Sequence, residues 1–148
     1  MKELFQNHIL LISLISGIIA QILKVPIHFI RKKEWDLELF FSNGGFPSSH
    51  TATVMALLTR IGRDFGFGSP FFAISAVFSI IVIFDATGVR QEVGRHSKTL
   101  NDILEMLRLK EWFNFETLEE LVGHTVLEVI AGFILGIGIA LLSYIWIP

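Results

Sequence analysis

Gly44-Gly45-Phe46-Pro47-Ser48-Ser49-His50-Thr51-Ala52 is the stretch on which the reading of the chain turns. Two glycines and a proline interrupt whatever regular structure precedes them. The serines that follow are suited to cap a helix N-terminus. From Thr51 to Thr59 no residue is charged. The pattern predicts a loop that opens directly into a helix. A helix start presents free N–H groups and the positive end of the dipole, which together seat an anion. His50, placed there, exchanges a proton near neutral pH. An ordinary capped helix with a surface histidine fits the same residues, so the rest of the chain has to decide.

The 148 residues suggest a single domain, 1–148, and 52% of them are hydrophobic, 14 of them Phe. Mean hydropathy is +0.62. Soluble domains are about 45–50% apolar even with glycine counted, so the composition predicts an integral membrane protein. A formal charge of −2 implies no nucleic-acid partner, and the absence of cysteine excludes disulfides and thiolate chemistry. No small-residue cleavage site follows the first apolar run, which therefore reads as a retained helix.

Outward from the central loop the expected class is all-α, a small polytopic bundle of about four apolar helices plus an interfacial amphipathic one. The first runs uncharged from Ile9 to Leu23 and stays apolar to Ile30, with a kink expected near Pro26 and a stop at Arg31-Lys32-Lys33. Trp35 beyond it suits an interface. The second starts near Pro47 or Ser48 and ends at Arg60, Arg63 and Asp64, before a turn made by Gly62, Gly66, Gly68 and Pro70. The third, Phe71 to Phe84, is closed by Asp85. Leu100, Ile103, Leu104 and Leu107 recur at helical spacing, with Thr99 and Asp102 as a capping box. That helix is expected to lie on the membrane surface with Trp112, Phe113 and Phe115; Thr117 and Glu120 repeat the capping spacing. Val129 to Pro148 is the last span, and Gly132 and Gly136 have the spacing for close helix packing. Basic residues divide nine to three in favour of the 24–46 and 88–124 loops, so these are expected on the cytoplasmic side.

This topology gathers one end of every span. His124 and Glu128 are four apart and share a helix face. A carboxylate on one imidazole nitrogen fixes the tautomer and makes the other nitrogen a better base or nucleophile. A helix-capping histidine satisfied by a glutamate has the same spacing. Lys24 and Arg31 lie two turns apart on one face if the helix persists past Pro26; they fit a phosphate grip, and equally a pair of interfacial side chains reaching for water. Asp85 and Arg90 flank the end of the third span. His8, His28 and His96 have no evident partner and read as solvent or interface residues. A metal site from His50, Asp85, His124 and Glu128 matches no strong ligand spacing, and no metal is expected.

These residues resemble the signature motifs of the type 2 phosphatidic acid phosphatase and vanadium-dependent haloperoxidase superfamily, which read K-x6-RP, PSGH and SR-x5-H-x3-D. The counterparts here are Lys24-x6-Arg31, Pro47-Ser48-Ser49-His50 and His124-x3-Glu128. The closer resemblance, through the Gly44–Ala52 stretch, Phe84-Asp85-Ala86-Thr87-Gly88-Val89-Arg90 and Gly123-His124-Thr125, is to the divergent phosphatidic acid phosphatase type 2 family. It covers nearly the whole chain. The resemblance implies a membrane phosphatase that hydrolyses a lipid phosphate or pyrophosphate through a phosphohistidine, without a cofactor. His124 would be the nucleophile, Glu128 its orienting acid and His50 the general acid. Lys24, Arg31, Ser48 and Ser49 would cradle the phosphate, with Asp85 in a supporting place. Lys32 replaces the proline of the first motif, Ser49 a glycine, and Glu128 an aspartate. Leu118 stands where the third motif has arginine, and Arg90 is the expected substitute. That loss also suits a rival reading, a non-catalytic membrane protein that binds a phosphorylated lipid or anion in the same pocket. The cell (inner) membrane is the expected location, the phosphorylated lipid the expected partner, and a homodimer is compatible with the short, glycine-bearing helices.

Overall fold

The computed structural model describes residues 6–42, 44–107, 118 and 123–146. Its elements are helix α1 (His8–Lys32), a short 3-10 turn (Glu38–Phe40), α2 (Ser49–Phe65), α3 (Pro70–Phe84), a wide π-type turn (Asp85–Val89), α4 (Arg90–Met106) and α5 (Val126–Ser143). The fold is all-helical. The expectations about Trp112, Phe113, Phe115, Thr117 and Glu120 fall outside the described residues.

Among the described residues three helices are long and apolar enough to cross a membrane: α1, the rod from Pro70 to Met106, and α5. The shorter α2 lies among them and packs against α1, α3 and α5. Small residues make this packing close. A methyl group on Gly132 of α5 would run into the Ser48 carbonyl, one on Gly136 into the Ala52 carbonyl, and one on Gly17 of α1 into the Thr53 hydroxyl. Hydroxyls bond across the same seams. Ser16 donates to the Ala52 carbonyl at 3.1 Å and Ser79 to the Val54 carbonyl at 3.3 Å. In a bilayer such bonds satisfy groups that water cannot reach. The outward faces stay apolar, with Phe71, Ile74 and Ile81 of α3 and Ile130, Phe133 and Ile134 of α5 exposed.

Several local expectations change. Gly62 is not in a turn. It is buried inside α2, where a Cβ would press on the Phe67 ring. Asp85 does not close the third helix; the backbone widens through Asp85–Val89 and runs on into α4. Thr99 caps nothing, because it lies mid-helix with its hydroxyl donating to the Arg95 carbonyl. Pro26 sits within α1 without ending it.

A polar clasp closes the end of α2 onto that of α5. The Arg60 guanidinium is buried, donates to Ser143 Oγ at 3.2 Å, pairs with Asp64 at 3.2 Å and stacks 3.9 Å over the Tyr144 ring. Arg63 covers the same ring and the Tyr144 hydroxyl donates to Asp64. Desolvation first, and then the bond to Asp64, hold the Tyr144 phenol above its ordinary pKa.

Candidate active site

At the other end of the bundle, four chain segments converge on a cavity of about 650 Å³. The last turns of α1 supply one wall, with Lys24, His28, Arg31 and Lys32 on a single helical face. The first turns of α4 supply the facing wall through Gln91, Gly94, Arg95 and Lys98, again on one face. The start of α5 supplies His124 and Glu128, and the Gly44–Phe46 loop completes the rim. Five lining residues are Lys or Arg and two, Asp36 and Glu128, are acidic, so the interior field is positive.

Each central side chain has a local reason for its position. Thr125 caps α5 in a capping box: its hydroxyl accepts from the Glu128 N–H at 3.4 Å, and Glu128 Oε2 accepts from the Thr125 N–H at 3.0 Å. The same Oε2 lies 3.2 Å from His124 Nδ1. An ionised carboxylate only accepts, so Nδ1 carries a proton, and in the neutral ring Nε2 is the nitrogen with the lone pair. His124 is 1% exposed, and Nε2 is buried with no hydrogen-bond partner. The His124 backbone N–H donates to the Ala86 carbonyl at 2.9 Å. Gly123 adopts φ +100°, and a Cβ there would lie 2.5 Å from Gln91 N and 2.7 Å from Arg90 C. Only glycine combines that backbone with that contact.

Lys24 is 2% exposed, its ammonium donating to the Ser42 carbonyl at 3.0 Å. The Arg31 guanidinium stacks 4.5 Å over the Phe46 ring. The two are on one face of α1, and both line the cavity. Ser48 takes the cap: its Oγ accepts from the Thr51 N–H at 3.3 Å and the Thr51 hydroxyl at 3.0 Å, and its own N–H donates to the Glu128 carbonyl at 3.0 Å. It is buried and does not line the cavity. The His50 ring lies 6.1 Å from that of His124, edge to face, with Nδ1 buried and unbonded. His50 and Ser49 line a second space, an apolar groove of about 490 Å³ on the opposite side of the histidine pair. Arg90 lines neither space. Its Nε donates to Asp85 Oδ2 at 2.6 Å, and its charge acts on His50. Among the described residues no three His, Cys, Asp or Glu gather closely enough to hold a metal ion.

His28, Lys32, Arg95 and Lys98 were not singled out by spacing, yet all line the cavity. The signal was present in α4, where Gln91, Gly94, Arg95 and Lys98 recur at helical intervals opposite Val93 and Leu100. It becomes legible only once the helix is known to continue from α3.

The sequence profile described as the divergent PAP2 family matches residues 5–139. The chain belongs to that family. It is 40% identical over 146 residues to a Bacillus subtilis (strain 168) protein named uncharacterized membrane protein YuiD, covering 91% of this chain and 92% of that one. No solved structure gives a significant match. With three apolar spans and this relative, the protein is an integral membrane protein.

Proposed function

We propose that the protein is a membrane phosphatase that hydrolyses a lipid phosphate or pyrophosphate through a phosphohistidine. The observation that carries this reading is His124. Its imidazole is held by Glu128 with a buried Nε2 that has no hydrogen-bond partner, the residue borders a basic cavity, and a second imidazole stands 6.1 Å away. In the reaction, the Nε2 lone pair attacks phosphorus and the phosphorus–oxygen bond to the leaving group breaks. His50 protonates the departing oxygen. Lys24 and Arg31 offset the charge of the transferring group. Water, deprotonated by His50, then attacks phosphohistidine; inorganic phosphate leaves and His124 Nε2 regains its lone pair.

Phosphate release by purified protein from a panel of lipid phosphates and pyrophosphates, with His124→Ala beside it, tests the proposal. Release that vanishes in the variant, with acid-labile phosphate trapped on the wild type, is the expected result. No release from any member of the panel overturns it.

The second reading is an anion-binding membrane protein without turnover. Arg90 favours it: this substitute for the missing third-motif arginine is bonded to Asp85 and lines neither space. Vanadate or phosphate binding without turnover is its signature.

A further inference from the structure

The two spaces beside the histidine pair differ in chemistry, and this polarises the site. His124 borders the basic cavity, whereas His50 borders the groove. The groove lies between α1 and α3, which hardly touch one another, with α2 as its floor. Two of its polar side chains are bonded to the backbone. The Thr53 hydroxyl donates to the Ser49 carbonyl at 2.9 Å, and the Gln21 amide donates to the Phe40 carbonyl at 2.7 Å. Leu14, Ile18 and Phe78 line the groove and are also exposed on the outer faces of their helices. In a membrane-spanning bundle those faces meet hydrocarbon, so the groove is continuous with the bilayer interior. Along α1 its lining runs from Gln21 to Leu14, seven residues, about 10 Å at 1.5 Å per residue.

We infer that this groove is the binding site for the hydrocarbon chain of the substrate, adjoining the oxygen that leaves. The inference rests on the phosphatase reading and adds its direction. The phosphoryl group faces Lys24 and His124, the scissile oxygen sits at His50, and the chain runs between α1 and α3 into the bilayer. A phosphorylated lipid thus reaches the catalytic pair sideways from the membrane while inorganic phosphate leaves through the basic cavity.

Two measurements on the full-length protein test this. In the first, dodecyl phosphate bearing a mid-chain diazirine is photolysed with the wild type, and adducts are mapped by mass spectrometry. Adducts concentrated on Leu14–Gln21 and Phe78–Val82, and suppressed by unlabelled dodecyl phosphate, are expected. Adducts spread equally over the outer face of α5 at Ile130, Phe133 and Ile134 overturn the inference. This experiment needs no turnover, so it stands even if the phosphatase reading fails. In the second, kcat/KM is followed along a series from butyl to dodecyl phosphate. The wild type gains with chain length, and Ile18→Trp, which fills the groove from its lipid-facing wall, flattens that gain by about tenfold, equivalent to roughly two methylenes losing apolar contact. A chain-length profile unchanged by Ile18→Trp overturns the inference.

Discussion

The backbone N–H of His124 donates to the carbonyl of Ala86 at 2.9 Å, so the wide turn in the α3–α4 rod holds the candidate nucleophile from behind. In that turn the Arg90 N–H reaches the Asp85 carbonyl five residues back, and the Arg90 and Asp85 side chains pair across it. Such interruptions of a helix are frequent at functional sites. Here the turn brings Ala86 and Arg90-Gln91 beside Gly123-His124, segments more than thirty residues apart in the chain.

Gly123→Ala tests that contact. A methyl group meets the backbone of Arg90 and Gln91 at 2.5–2.8 Å, and the residue is held at φ +100°. The substitution is expected to cost about 1–3 kcal/mol and to abolish turnover by displacing the imidazole. Thermal unfolding in detergent, measured beside phosphate release, checks both. An active variant of wild-type stability would remove the turn from the mechanism.

Glu128→Gln isolates the carboxylate. The amide oxygen still accepts from the Thr125 N–H, so the cap of α5 survives, but the charge that favours a protonated Nδ1 on His124 is gone. A fall in kcat on the order of 10²–10⁴-fold is expected with KM nearly unchanged. The steady-state split between the two constants, with circular dichroism for helix content, measures it.

Lys24 and Arg31 were legible because seven residues is two helical turns. The spacing also flagged His124 and Glu128, but His124 lies just before the N-cap Thr125. The capping box that turns Glu128 back, not a shared helix face, brings the two together. The adjacent serines were harder. Successive helical positions turn by about 100°, which puts Ser48 under the helix as its cap and Ser49 on the groove. Asp85 misled because a charge after fourteen uncharged, mostly apolar residues looks like a helix end. Its pairing with Arg90 five positions on, across a widened turn, lets the helix continue instead. The cavity wall built by Arg95 and Lys98 follows from that continuation and is a tertiary fact, which no local pattern contains.

Replacing Arg95 and Lys98 together by alanine probes the cavity field. Both are exposed side chains lining the cavity along with Arg31 and Lys32, Arg95 being paired with Glu92 at 2.7 Å, so they act on the anion through solvent-screened charge. The double variant is expected to lower kcat/KM several-fold at low ionic strength. The difference should vanish near 1 M salt, where the Debye length is about 3 Å. A salt titration of initial rates gives the result, and a deficit that persists at high salt would point to direct contact.

At the other end, Tyr144→Phe has a pH signature. The phenol is held above its ordinary pKa by desolvation and by Asp64. A folded-state pKa raised above the unfolded one contributes stability below the unfolded value, near 10, and that contribution is lost as pH rises through the folded value. The wild type is therefore expected to lose thermal stability more steeply than Tyr144→Phe above about pH 10. Parallel slopes would show that the clasp of Arg60, Arg63 and Asp64 does not depend on the phenolic proton.

Arg90 decides between turnover and binding alone. Its guanidinium is fixed by Asp85 at 2.6 Å and its charge reaches His50, although it lines neither the cavity nor the groove. If it replaces the missing third-motif arginine, it must turn toward the phosphoryl group as charge develops there, exchanging one oxyanion partner for another. Arg90→Ala is then expected to weaken orthovanadate binding about tenfold or more, and Arg90→Lys to recover only part of it, since the planar fork is lost. Asp85→Asn, which loosens the resting pair, should weaken binding much less. Vanadium NMR titration of the three variants measures this order. Equal affinity in the wild type and Arg90→Ala would leave Arg90 a brace for the wide turn, and Lys24 and Arg31 as the cations that hold the anion.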